Sequence, residues 1–139
     1  MFKRILAPVD LSGRNERALR VAAELAAQRS GRLTLLHVIQ RIDGLPAGEL
    51  RGFYAQLEKA ARRKLAAMAK RVAKDGLDVS CEVIVGEPMV DIVKWADRMR
   101  ADVIVMASHR VEPKKGVQGL GTTSYKTAIL CRCPILLVK

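Results

Sequence analysis

The sequence predicts an α/β fold: one open sheet of five parallel strands in the order 3-2-1-4-5, with helices packed on both faces. Three observations point there. Short β-branched runs alternate with longer stretches of helical period, the pattern left by parallel strands joined through crossover helices. The run "DVIVMAS" at 102–108 is apolar without alternation, as a strand covered on both faces must be. Half of the 139 residues are apolar, enough for one buried core, so residues 1–139 read as a single domain.

"ILAPV" (5–9) opens as the first strand, and Pro8 near its end marks where ladder pairing stops. Ala18, Leu19, Ala22, Leu25 and Ala26 then recur at helical spacing, with Ser12 as N-cap and Gly31 as the stop. "LTLLHVI" (33–39) is the second strand. The segment "RIDGLPAGE" leads into a long helix whose apolar stripe is Phe53, Leu57, Ala61, Leu65, Met68 and Val72, ending before Gly76. Its other face carries Lys59, Arg62, Arg63, Lys70, Arg71 and Lys74, expected to be solvated and partly paired at i,i+4, as in Glu58 with Arg62.

"DVSCEVIV" (78–85) is the third strand, ended by Gly86. Pro88 suits the first turn of the next helix, where its missing N–H costs little, and Met89, Ile92, Val93, Ala96 and Met99 form the buried stripe with Trp95 packed near it. The fourth strand follows at 102–108. Beyond a glycine-rich loop, Tyr125, Ala128 and Ile129 keep helical spacing, and Pro134 introduces a fifth strand, "ILLVK".

Right-handed crossovers fix the rest. A chain that starts centrally and winds outward through strands two and three must return to the other side of strand one with strand four, and such sheets bind ligands where the winding reverses. Asp10 then faces the loop that begins at Ser108. In that loop Gly119 and Gly121 let backbone amides approach a ligand, and Thr122 and Thr123 place hydroxyls at a helix start that favours an anion. Arg110, Lys114 and Lys115 add cations able to pair with phosphate oxygens. The pattern predicts a phosphate-bearing ligand.

Composition narrows the field further. A net charge of +11 favours anionic partners. With 4% aromatic residues there are few platforms for unpaired bases, so nucleic acid is an unfavoured partner, and its one candidate surface is the basic helix at 59–74. The longest apolar runs fall far short of the roughly 20 residues of a membrane span, and no secretory signal is complete before Asp10. Cys81, Cys131 and Cys133 lack the paired spacing of a zinc or redox site and read as reduced, buried thiols of a cytoplasmic protein. His37, on an apolar strand, reads as a satisfied core histidine. His109, adjacent to Ser108 and without an orienting third group, reads as a ligand contact or structural residue rather than a base, so catalysis is not expected.

Taken in order, "ILAPVDLSGRNERAL", "LTLLHVI", "GEPMVDIVKWADRMRADVIVMASHR" and "GLGTTSYKTAILCRCPILLV" resemble the universal stress protein family over nearly the full length. The resemblance implies a regulatory stress-response protein of the cytoplasm that binds ATP, with Mg2+ beside it. It also implies a homodimer formed through the last strand, residues 134–139; an exposed edge strand there would need covering, which makes Leu137 an expected dimer contact. Slow ATP hydrolysis is compatible with it. Carried over residue by residue, Val9 and Asp10, with Pro8 beside them, lie at the adenosine, and Asp10 lies near the ribose or a phosphate-bound metal. Val38 approaches the adenine through its backbone, and Gly121, Thr122 and Thr123 hold phosphates. The family motif is Gly-x-x-Gly, nine residues, then Gly-Ser/Thr; here Ala107 and Arg110 replace its first two glycines around Ser108 and His109, and ten residues separate Arg110 from Gly121. Two other functions fit the sequence: a dimeric interaction module whose pocket is occluded by Arg110 or Lys114, and a weak nucleic-acid binder working through residues 59–74.

Overall fold

A computed structural model describes residues 1–44, 47–74, 76–108 and 123–139. The strands are β1 (Arg4–Pro8), β2 (Arg32–Gln40), β3 (Asp78–Gly86), β4 (Val103–Ala107) and β5 (Ile135–Val138). The helices are α1 (Glu16–Ala27), α2 (Ala47–Val72), α3 (Pro88–Met99) and α4 (Thr123–Leu130). All sheet pairings are parallel and the order is β3-β2-β1-β4-β5, the predicted one. β1 is the hinge of the arrangement: Ile5 pairs with Leu33 of β2 on one side and Val103 of β4 on the other.

Central strands feed both faces of the sheet. Ile5 packs into the core under α1 and α2, while its neighbour Leu6 packs into the core under α3. Ile5, Leu6, Leu33, Leu35, Leu36, Leu65 and Ile104 are wholly buried; each contributes about 1.5–3 kcal/mol by leaving water. Asp102 pins the base of β1 beside β4. Its Oδ2 accepts the Lys3 and Arg4 amides at 3.0 and 2.8 Å, and its Oδ1 pairs with Arg4 Nη2 at 3.1 Å. Burial alone would raise this carboxyl; the Arg4 guanidinium and the two amides outweigh it and hold it below its ordinary range.

The helices correct several expectations. Ser12 does not cap α1: it caps a single 3-10 turn at Gly13–Asn15, its hydroxyl accepting the Arg14 amide at 3.3 Å, and α1 begins after it. Gly31 lies beyond the end of α1, with its amide still donating to Ala26 O at 2.8 Å. In α2, Ala61, Leu65 and Met68 are buried as predicted, but Phe53 and Leu57 are 46% and 37% exposed. A helix of 26 residues spans roughly 39 Å, and the nine-residue β3 beside it roughly 30 Å, so roughly 9 Å of α2 overhangs the sheet, within the helix's first half. Tyr54 tethers that half, its hydroxyl accepting the Ile42 amide at 2.7 Å.

Among the described residues the i,i+4 ion pair that forms is Glu16 with Arg20, at 2.8 Å, and Glu58 does not pair with Arg62. Exposed pairs of this kind gain too little to hold two long side chains in place. α3 begins with Pro88 at its first turn, buries Ile92 and Ala96, keeps Trp95 against the core, and closes on Arg100 at φ 52°. α4 buries Ser124 and Thr127 rather than the expected stripe, leaving Ile129 81% exposed. Eight residues make little more than two turns, too short a window for periodicity to define a face. The three cysteines are free but half-buried rather than buried, and burial pushes each thiol up from its ordinary value. Among the described residues, no helix is long and apolar enough to cross a membrane.

Candidate functional site

The winding reverses between β1 and β4, and a cavity of about 510 Å³ opens at their tips. Its construction starts with the turn after β1. Val9 continues the strand by donating its amide to Leu36 O at 2.8 Å, and Leu11, at φ 67°, then bends the chain. A leucine in that conformation is strained by about 1–2 kcal/mol, and the cost is carried at the residue next to Asp10.

The bend wraps three donors around one oxygen. Asp10 Oδ1 accepts the Ser12 amide at 2.9 Å, the Ser12 hydroxyl at 2.6 Å and Asn15 Nδ2 at 2.6 Å. Asn15 is buried, and its amide also donates to Ser12 O at 2.9 Å. Partial burial pushes the Asp10 carboxyl up; the Ser12 hydroxyl and amide, Asn15 and the nearby Arg14 charge outweigh it, so its pKa is lowered and the group is ionised at neutral pH. Across the turn His37 donates from Nδ1 to Val9 O at 2.8 Å, a half-buried, satisfied histidine as expected.

The cavity has two chemistries. Val9, Leu36, Val38, Ile92 and Met106 supply an apolar part, with Pro88 beside them. Arg14, Arg17 and Lys139 supply cations, and Ser108, Thr123 and Ser124 supply hydroxyls. A slot of this size with an apolar part and a basic part suits a small molecule with a flat ring at one end and negative charge at the other. A larger cleft of about 1140 Å³ runs between α1 and α2. It mixes acids and bases along two helices and does not lie at the switch point.

Of the residues singled out from sequence, Pro8, Val9, Asp10, Val38, Ala107, Ser108 and Thr123 all line this one cavity. Thr123 is the first residue of α4. His109, Arg110, Lys114, Lys115, Gly119, Gly121 and Thr122 lie outside the described residues. Sequence reasoning missed Asn15, Arg14, Arg17, Tyr125 and Lys139. The Asp-x-Ser-x-x-Asn spacing at 10–15 was a signal for the first of these, because such residues fold back on their own backbone. Lys139 had no signal: with β5 beside β4 as predicted, its ammonium donates to the Tyr125 hydroxyl at 2.8 Å and to Ser108 Oγ at 3.1 Å, but no spacing records which side chains meet there.

For a metal, Asp10 is the one candidate carried from sequence. Among the described residues, no three His, Cys, Asp or Glu side chains converge on a common point. Asp10 Oδ1 takes all three donors, and Oδ2 accepts none from the described residues. One free carboxylate oxygen fits Mg2+ of the kind that draws its other ligands from phosphates and water.

Comparison with known proteins gives a consistent answer. A family model described as the universal stress protein family matches residues 1–139. The chain is 26% identical to universal stress protein YxiE of Bacillus subtilis, covering all of both chains. It is 28% identical to universal stress protein MJ0577 of Methanocaldococcus jannaschii, covering all of this chain and 96% of the relative. Among solved structures, a universal stress protein from Archaeoglobus fulgidus superposes with a TM-score of 0.77 at 25% identity, covering all of both chains. Two more share the fold at a TM-score of 0.73: one from Archaeoglobus fulgidus in complex with dAMP (24% identity, all of both chains), and one in complex with cAMP (18% identity, all of this chain and 99% of the other).

Proposed function

The chain belongs to the universal stress protein family, and from that premise we propose that the cavity at the tips of β1 and β4 binds an adenine nucleotide, ATP first among them. One observation carries the reading: Asp10 on β1's tip, Ser108 on β4's tip and Thr123 at the start of α4 border one cavity that has an apolar part and a basic rim. The apolar part, with the Val38 backbone, takes the adenine. Asp10 takes the ribose, or a Mg2+ ion held on the phosphates. The basic rim and the start of α4 take the phosphates. That related proteins of this fold are found with dAMP and with cAMP supports an adenine nucleotide as the ligand class.

On this reading the protein is a cytoplasmic regulator of the stress response that binds rather than turns over its ligand, and hands its occupancy to a protein partner. Homodimerisation through residues 134–139 belongs to the same proposal. β5 is the outermost strand and pairs with β4 alone among the described strands, and such edges are commonly covered.

Calorimetry with ATP and Mg2+ tests the reading. Wild-type protein should release or absorb heat on a saturable isotherm, and Asp10→Ala should weaken it roughly tenfold or more, the loss of one charge-assisted contact. Neither heat nor a thermal shift at millimolar nucleotide would overturn it. Binding that appears only in Arg110→Gly would favour the occluded-pocket alternative.

A further inference from the structure

Lys139 follows the outermost strand, and its side chain reaches back over the cavity. Its ammonium stands 2.8 Å from the Tyr125 hydroxyl, 3.1 Å from Ser108 Oγ and 5.2 Å from the centre of the Tyr125 ring. Its main-chain oxygen accepts Arg17 Nη1 at 3.0 Å. One residue therefore joins the tip of β4, the first turn of α4, the end of β5 and the flank of α1. It also shares the cavity wall with Arg14 and Arg17, whereas the apolar part of the cavity is lined by other side chains.

Resting on the adenine-nucleotide reading of this cavity, we propose that Lys139 is its phosphate-reading cation: on binding, the ammonium exchanges the Tyr125 hydroxyl for a phosphate oxygen, so that affinity follows phosphate count and occupancy uncouples α4 from β5. Three features favour the exchange. An ammonium gains more from an anionic phosphate oxygen than from a neutral hydroxyl, since the phosphate adds a direct attraction between opposite charges that a hydroxyl dipole does not supply. The lysine stem has four rotatable carbons, so its end can swing without moving the backbone. Arg14 and Arg17 hold the rim positive, so each added phosphate charge meets an attractive field, while a bare nucleoside meets none of it.

The consequence lies on β5. Lys139 follows β5, the outermost of the described strands, and Tyr125 lies on α4 with its hydroxyl on the Lys139 ammonium. Releasing their contact changes how the helix is tied to the strand, so the ligand's phosphate number becomes legible at the edge a second protein would meet.

The test is a ligand series on two variants. Calorimetry with ATP, ADP, AMP and adenosine should give wild-type affinities that rise with phosphate number and weaken with salt. Lys139→Gln should lower ATP affinity roughly tenfold with adenosine unchanged, and Lys139→Arg should restore most of it. Lys70→Gln, an equal loss of charge on the exposed face of α2, should leave the ATP-to-adenosine ratio alone. A second readout needs no variant of the pocket. The Lys139 and Ser108 contacts hold the Tyr125 phenol below its ordinary pKa, so saturating ATP should raise the pH at which Tyr125 ionises, read by ultraviolet titration against a Tyr125→Phe blank. An unchanged ATP-to-adenosine ratio in Lys139→Gln, or a Tyr125 titration unmoved by bound ATP, overturns this inference and leaves the nucleotide reading standing. Wild-type protein that binds none of the four ligands overturns both.

Discussion

Asn15 Nδ2 lies 2.6 Å from Asp10 Oδ1, and Asn15 is buried although it is polar. This contact turns a surface carboxylate into a fixed feature of the cavity, because a buried neutral amide holds the group in place without neutralising its charge.

Replacing that amide tests its role. Asn15→Ala leaves Asp10 with its Ser12 donors only and opens a small void, and should cost about 1–3 kcal/mol in urea unfolding. Asn15→Asp should cost more at neutral pH, since two carboxylates would then share one site. Equal losses in the two variants would mean that side-chain volume, not the donor, matters at position 15.

The lowered pKa of Asp10 fixes a pH window. A carboxylate whose folded pKa lies below its ordinary 3.8 stabilises the fold above that value and ceases to do so as pH falls through the lower, folded value. The stability difference between wild type and Asp10→Asn should therefore be flat from neutral pH down to about pH 5 and shrink only below about pH 4. A difference that already shrinks between pH 7 and pH 5 would show a raised, not lowered, carboxyl.

Gly31 sits where α1 hands over to β2. A Cβ built there would come 2.7 Å from the Lys3 carbonyl oxygen, a backbone atom held by the Arg32 amide at 2.7 Å. Gly31→Ala should destabilise the domain by about 1–3 kcal/mol, as overpacking does, with nucleotide affinity unchanged at temperatures where the protein is folded. A neutral substitution would show that β1 can shift at its base.

The edge of the sheet gives a further prediction. Leu136 is 40% exposed on β5, whereas Leu137 packs half-buried against the core under α3, so in the proposed dimer through residues 134–139 Leu136 is the more accessible of the two. Leu136→Lys should shift sedimentation toward the monomer without lowering the unfolding midpoint. Leu137→Lys should lower the midpoint, by burying a charge. A sedimentation profile that Leu136→Lys leaves unchanged would place the dimer contact elsewhere.

Much of the fold was legible in the sequence because the strands are blocks of apolar residues and the handedness of crossovers leaves few ways to join them. The same handedness sets Asp10, Ser108 and Thr123 at one end of the sheet, where they line one cavity. Phe53 and Leu57 misled it, because an apolar stripe says which side of α2 is apolar and not how far the sheet extends beneath it. α4 misled it because Ser124 and Thr127, small and polar, are the residues it buries. Arg17, Tyr125 and Lys139 were invisible for another reason: the strand order sets β5 next to β4, but it does not say which side chains of α1, α4 and the residue after β5 reach one another.

The most direct test of the central claim is a map of ATP contacts by 15N–1H chemical-shift perturbation on the full chain. The account predicts that the largest shifts fall on the amides of Val9, Asp10, Val38, Ala107, Ser108 and Thr123, with Tyr125 and Lys139 following. Shifts confined instead to the cleft between α1 and α2, around Leu19, Ala23, Met68 and Leu77, would contradict it.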